Sequence, residues 1–69
     1  MTDGVYKVIE LVGTSAESWE DAAASAVERA GKSLRDLRIA EVVDQDMQIQ
    51  DGKISAFRIR LKMSFKFED

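Results

Sequence analysis

The sequence predicts an α+β domain with the element order β-α-β-β, in which a three-stranded antiparallel sheet wraps around one helix. Segment 57–67 alternates apolar and polar residues without a break, which is the period of a strand. Segment 18–32 instead repeats its apolar residues at helical spacing. With 69 residues, the chain has room for one two-layer domain, expected over residues 1–69.

The first strand is predicted over Val5–Val12, because this segment is rich in β-branched residues and is followed by Gly13. Its apolar residues are Val5, Ile9 and Leu11 on one side and Tyr6, Val8 and Val12 on the other. Both faces of this strand are therefore expected to need cover.

A helix is predicted over Ser18–Lys32, after a capping box in which Thr14 or Ser15 is the N-cap and Glu17 reaches back. Its apolar face comprises Trp19, Ala22, Ala23, Ala26, Val27 and Ala30. Small alanines favour close packing on a sheet, and the bulky Trp19 is predicted to pack across the end of the core.

The second strand is predicted over Arg38–Gln50, and Asp51-Gly52 is a strong signal for a two-residue hairpin turn after it. The apolar residues of one face are Ile39, Val43, Met47 and Ile49. Glu41 and Gln45 fall on that same face, which indicates a bulge or bend near the middle of the strand.

One face of the third strand is expected to pack on the helix, and the basic row Arg58, Arg60, Lys62 and Lys66 occupies the other. A core this small supplies little stability, and the chain has no Cys for disulfides, so self-association is predicted. For the basic row, pairing with Glu10, Glu41 and Asp44 is favoured over anion binding.

Composition argues against several classes of function. The chain has no His and no Cys, no nucleophile motif and no glycine-rich phosphate loop, so an enzyme is not predicted. The net charge is −3 and the ten cations are dispersed, which argues against a nucleic-acid partner. No apolar run approaches the roughly 20 residues that span a bilayer, so a cytoplasmic protein without a membrane partner is expected.

A divalent cation is the ligand that the acidic residues suggest. Asp44 and Asp46 share a strand face about 6.6 Å apart, which is too far for a compact site from one chain unless the backbone bulges. Rotational symmetry would supply further carboxylates, and Glu41 is a third candidate ligand for Ca²⁺ or Mg²⁺. From the residues alone, solvated acids or acids in ion pairs within or between subunits are favoured over such a specific cation site.

Several segments together resemble the dodecins over nearly the whole chain. They are Val5–Ser15, Ser18-Trp19-Glu20, Ala40–Gln45 and Ser64–Glu68. The resemblance implies a small flavin-binding protein whose copies assemble into a hollow homododecamer, with helices outward and sheets inward.

The flavin pocket of that family maps here to Ile39, Gln45 and Arg58. Ile39 stands where the family has a Trp that stacks on the flavin ring, and Arg58 stands where it has a Gln. Ser18-Trp19-Glu20, Arg38-Ile39-Ala40 and Gln45-Asp46-Met47 resemble the calcium dodecins, a branch without that Trp. The resemblance therefore favours a shell that stores or binds calcium or another divalent cation over one that binds riboflavin or FMN.

Overall fold

The computed structural model describes residues 4–66, which form the predicted order of elements. The elements are β1 (Tyr6–Ser15), α1 (Trp19–Ser33), β2 (Leu37–Gln50) and β3 (Lys53–Lys66). The sheet order is β1-β3-β2, and both neighbouring pairs are antiparallel. The predicted α+β fold is confirmed, with the third strand in the middle of the sheet.

The core lies between β3 and α1. It consists of Ile59, Leu61 and Met63 from β3 and of Ala22, Ala26 and Ala30 from α1. The alanines repeat every four residues and present one small-residue face to the sheet. The apolar face predicted for the third strand is therefore confirmed over this stretch, whereas Phe67, at the end of the alternation, lies outside the described residues.

Gly13 does not end the first strand, so that prediction is wrong. β1 continues to Ser15 because Gly13 is paired with Ile59 in the ladder and is buried under α1. A Cβ atom at Gly13 would run into the backbone carbonyl of Ala22 and lie 3.0 Å from the Cβ of Ala26. The glycine is needed for the close approach of helix and sheet.

The predicted N-cap at Thr14 or Ser15 is also wrong, because both residues belong to β1. Ser18 caps the helix instead, and its Oγ accepts a hydrogen bond from the Asp21 backbone N–H at 3.0 Å. The Ser15 hydroxyl accepts from the Glu17 N–H at 2.9 Å and so shapes the turn that precedes the cap. Within residues 4–66, no helix is long and apolar enough to cross a bilayer.

The irregularity predicted in β2 is confirmed. The register shifts by one residue between Val42 and Asp44, which leaves Val43 as a bulge. Beyond it the faces exchange: Ile39 lies opposite Ser64 and Met47 opposite Phe57, so these two residues point to opposite sides of the sheet. The expectation that they share a face is therefore wrong.

The predicted hairpin at Asp51-Gly52 is confirmed. Both residues have positive φ, 54° and 76°, as a two-residue turn of the primed class requires. A second register shift follows at once, because Gln48 pairs with Ala56 and Ile49 with Ile54. Ser55 is the additional residue, and its hydroxyl donates to the Gln48 carbonyl at 3.2 Å.

Candidate functional site

Most of the candidate site residues lie on the side of the sheet that points away from α1, which we call the open face. Residues paired across an antiparallel ladder share a face, and the open face is the one opposite the buried residues of β3. It comprises Tyr6, Val8, Glu10, Val12 and Thr14 of β1, Ile39, Glu41, Asp44 and Asp46 of β2, and Arg58, Arg60, Lys62, Ser64 and Lys66 of β3.

The central strand carries the cations of the open face, and the two outer strands carry the anions. Lys62 is in register with Glu10 on one side and Glu41 on the other. Arg60 faces Asp44, with 3.4 Å between its Nε and Oδ2. The predicted cross-strand ion pairing is therefore confirmed for Asp44. Opposite charges on directly facing residues stabilise the pairing of the strands modestly.

Arg58 and Asp46 form the strongest charge contact on this face. The guanidinium donates through Nε to Oδ1 at 2.7 Å and through a terminal nitrogen to Oδ2 at 3.0 Å, which is the bidentate fork that suits a carboxylate. This hydrogen bonding holds the pKa of Asp46 below its ordinary value and raises the pKa of Arg58. Both side chains remain exposed enough for solvent to screen the pair.

Trp19 reaches the same residue from the other side of the sheet. Its indole Nε1 donates to the backbone carbonyl of Asp46 at 2.9 Å, and its ring meets Phe57 edge-on at a centroid distance of 5.1 Å. The predicted packing of Trp19 at the end of the core is confirmed. Sequence reasoning missed the hydrogen bond, although a half-buried indole N–H generally requires an acceptor.

The three candidate metal ligands do not converge within one chain. Glu41 faces Lys62 and Asp46 faces Arg58, so these two acids are separated by four residues of ladder, about 13 Å. Asp44 lies between them and is paired with Arg60. Across residues 4–66, no group of three acidic side chains could hold a metal ion. A cation site built on these acids needs ligands from another copy.

The three candidate flavin residues are also dispersed. Ile39 is exposed on the open face opposite Ser64, six ladder positions or about 20 Å from Arg58. Gln45 faces Ile59 and so lies on the helix side of the sheet, because the bulge at Val43 reverses the predicted face. A single chain therefore does not bring these three residues to one ring-sized ligand.

Two concave surfaces formed by residues 4–66 are small. A pocket of about 130 Å³ lies beside Ile39, between the start of β2 and the helix residue Val27. A shallow groove of about 290 Å³ lies between β1 and α1, next to Leu11 and Leu34. Pockets for organic ligands usually enclose about 300–1,000 Å³. Both surfaces are therefore too small to enclose such a ligand unless another chain adds a wall.

The whole chain is similar to known proteins of one kind. The dodecin family model matches residues 5–68. Calcium dodecin from Mycobacterium tuberculosis is 52% identical over 62 residues, which are 90% of this chain and 87% of that protein. Its crystal structure, described as that of a calcium-chelating antigen with a novel calcium-binding site, superposes with a TM-score of 0.84 over 93% of this chain and 91% of that one.

Two further relatives extend the similarity. Dodecin from Thermus thermophilus is 38% identical over 65 residues, 94% of each chain. The structure of dodecin from Streptomyces coelicolor superposes with a TM-score of 0.93 at 38% identity, over 100% of this chain and 99% of that one. The match thus covers the sheet, the helix and the hairpin together, and the chain belongs to the dodecin family.

Proposed function

We propose that this protein is a homododecameric, cytoplasmic binding or storage protein that takes up divalent cations, calcium in particular, and that it is not an enzyme. The observation that carries the proposal is the exposed row of carboxylates Glu41, Asp44 and Asp46 on an edge strand of the open face. It gains weight from the 52% identity to a protein named calcium dodecin.

The chemistry of calcium fits an assembled site better than one within a chain. Ca²⁺ takes six to eight oxygen ligands at about 2.3–2.6 Å, whereas the acids of one chain are spread over about 13 Å. Around a rotation axis, one carboxylate position supplies a ligand from every copy. Assembly would also cover the exposed apolar side chains of the open face, such as Val8 and Ile39.

Calorimetric titration of chelator-treated protein with CaCl₂, and separately with MgCl₂, tests cation binding. Native mass spectrometry of the same samples gives the mass of the assembly with and without the ion. We expect saturable Ca²⁺ binding to an assembly of twelve chains. A stable monomer, or heats no larger than those of dilution, would contradict the proposal.

Flavin binding is the second candidate function, and the observation that favours it is the exposed apolar side chain of Ile39 on the open face, where the dodecin resemblance places the stacking residue. Ile39 lacks a π face, so stacking worth roughly 1–3 kcal/mol per ring is lost relative to an aromatic residue at this position. Riboflavin fluorescence separates the candidates. Unchanged emission at micromolar protein supports the cation binder, and strong quenching supports the flavin binder.

A further inference from the structure

We propose that Arg58 sets the cation affinity of the open face by occupying the carboxylate of Asp46. This inference rests on the proposed cation-binding function and assigns its regulation to a residue of the same face. The guanidinium of Arg58 is itself a cation. It donates hydrogen bonds to both carboxylate oxygens of Asp46, which are the atoms that a metal ion would bind.

The three acids of β2 are unequally available to a metal. Both carboxylate oxygens of Asp46 accept from Arg58. Asp44 makes a longer contact, 3.4 Å from its Oδ2 to the Nε of Arg60, so Arg60 holds it less closely than Arg58 holds Asp46. Within residues 4–66, Glu41 faces Lys62 in the ladder but forms no ion pair. An incoming cation therefore meets Glu41 and Asp44 first, and it must displace a guanidinium to gain Asp46.

The pair is held in place from the helix side of the sheet. The Asp46 carbonyl accepts from Trp19, and Phe57, the residue before Arg58, packs against the same indole. These two contacts fix the backbone on both sides of the ion pair. Because Arg58 and Asp46 belong to one chain and face each other in the ladder, the guanidinium binds without the loss of translational freedom that a dissolved ion incurs, and so it competes with that ion.

The test compares the Ca²⁺ affinity of four assemblies: the wild type, Arg58→Lys, Arg58→Gln and Lys62→Gln. Arg58→Lys keeps the positive charge but removes the bidentate hydrogen bonding. Any gain in Ca²⁺ affinity therefore comes from the carboxylate of Asp46 that the substitution frees. We expect about a two- to fivefold tighter Kd for Arg58→Lys, the range set by an exposed ion pair, and a larger gain for Arg58→Gln. Lys62→Gln removes one positive charge from the same face but does not free Asp46. Its gain in Ca²⁺ affinity should therefore be smaller than that of Arg58→Gln.

Adding Asp46→Asn to Arg58→Gln tests whether the carboxylate of Asp46 is the source of the gain in Ca²⁺ affinity. Combined with Arg58→Gln, Asp46→Asn should remove most of the gain in Ca²⁺ affinity that Arg58→Gln gives alone, because the side chain that Arg58 releases is then an uncharged amide. Native mass spectrometry of each variant confirms that the assembly is intact.

The outcomes separate this inference from the proposed function. Wild-type binding with no gain in either Arg58 variant, or an equal gain in Lys62→Gln and Arg58→Gln, overturns the role of Arg58 alone. Binding that emerges only when Arg58 is replaced overturns the proposed wild-type function and supports the role of Arg58. Absence of binding in every assembly overturns both.

Discussion

The indole Nε1 of Trp19 lies 2.9 Å from the backbone carbonyl oxygen of Asp46, and this hydrogen bond ties the first turn of α1 to β2. Asp46 lies on the section of β2 that leads to the hairpin, where the two long strands are otherwise exposed. The same indole packs on Phe57 of β3. Trp19 thereby connects the helix to both strands of the hairpin.

Replacing Trp19 by Phe is expected to destabilise the fold by about 1 kcal/mol, because the hydrogen bond is lost while an aromatic ring is retained. Urea unfolding at one fixed protein concentration measures the change, since stability of an assembly depends on concentration. Trp19→Ala should be more damaging, because the contact with Phe57 is lost as well. Equal stability of Trp19→Phe and wild type would show that the hydrogen bond contributes nothing.

Gly13→Ala should destabilise the protein by about 1–3 kcal/mol, since the new methyl group meets the Ala22 carbonyl and the helix must move outward. Gly31→Ala is the matched control. Its Cβ has 4.0 Å to the nearest side-chain atom, on Leu37, and alanine favours the helix by about 0.5–1 kcal/mol. The two variants should therefore shift the unfolding midpoint in opposite directions, and a shift of the same sign would contradict the packing described here.

The Asp46–Arg58 pair predicts a pH dependence with a defined sign. In the folded protein, the hydrogen bonds from Arg58 hold the pKa of Asp46 below its ordinary value of 3.8. The pair therefore stabilises the fold fully above pH 3.8, and this stabilisation is lost as the pH falls through the lowered pKa. The unfolding free energies of wild type and Asp46→Asn should differ by a constant amount near neutral pH. This difference should shrink below pH 3.8. Arg58→Gln should lose the same pH-dependent part, and a difference that persists in acid would rule out this origin.

The double variant Glu41→Gln/Asp44→Asn should lose most of its Ca²⁺ binding, because amides keep the shape of both side chains but remove the charge that attracts the ion. Glu28→Gln, on the exposed side of α1, is the control for a general change in charge. Calorimetric titration at equal ionic strength measures the Ca²⁺ affinity of both variants. If both proteins lose affinity alike, the acids of β2 are not the ligands.

Ile39→Trp is expected to create or strengthen riboflavin binding, since it places an aromatic face on the open face where the family has its stacking residue. Val8→Trp is the control, because Val8 and Ile39 lie on either side of Ser64 in the same row of the sheet. Quenching of riboflavin fluorescence should increase for Ile39→Trp and not for Val8→Trp.

Local patterns in the sequence predict most of this fold. The unbroken alternation of β3 identifies the buried row, and Asp51-Gly52 has the turn chemistry of a two-residue hairpin. The end of β1 was predicted wrongly because glycine is normally a strand breaker, whereas Gly13 is selected by contact with Ala22 across the layers. That contact depends on how the helix packs on the sheet, which a short segment of the sequence does not show.

The candidate site is less predictable because it depends on register. From the Gln50–Lys53 pair, an unbroken hairpin would place Asp46 opposite Phe57. The extra residue Ser55 shifts the ladder by one position and brings Asp46 to Arg58, and the bulge at Val43 shifts it back. The residue pattern does not predict the exact position of either bulge. The pairing of Asp46 with Arg58 is therefore seen only in the folded chain.

The position of β3 between β1 and β2 also constrains when the protein folds during its synthesis. The two outer strands are made first, and β3 separates them in the sheet. A nascent chain that has exposed only β1, α1 and β2 therefore lacks the strand that joins them. We expect productive folding to wait until Lys53–Lys66 has left the ribosomal exit tunnel, so the proposed shell would form from chains whose sheets are already complete.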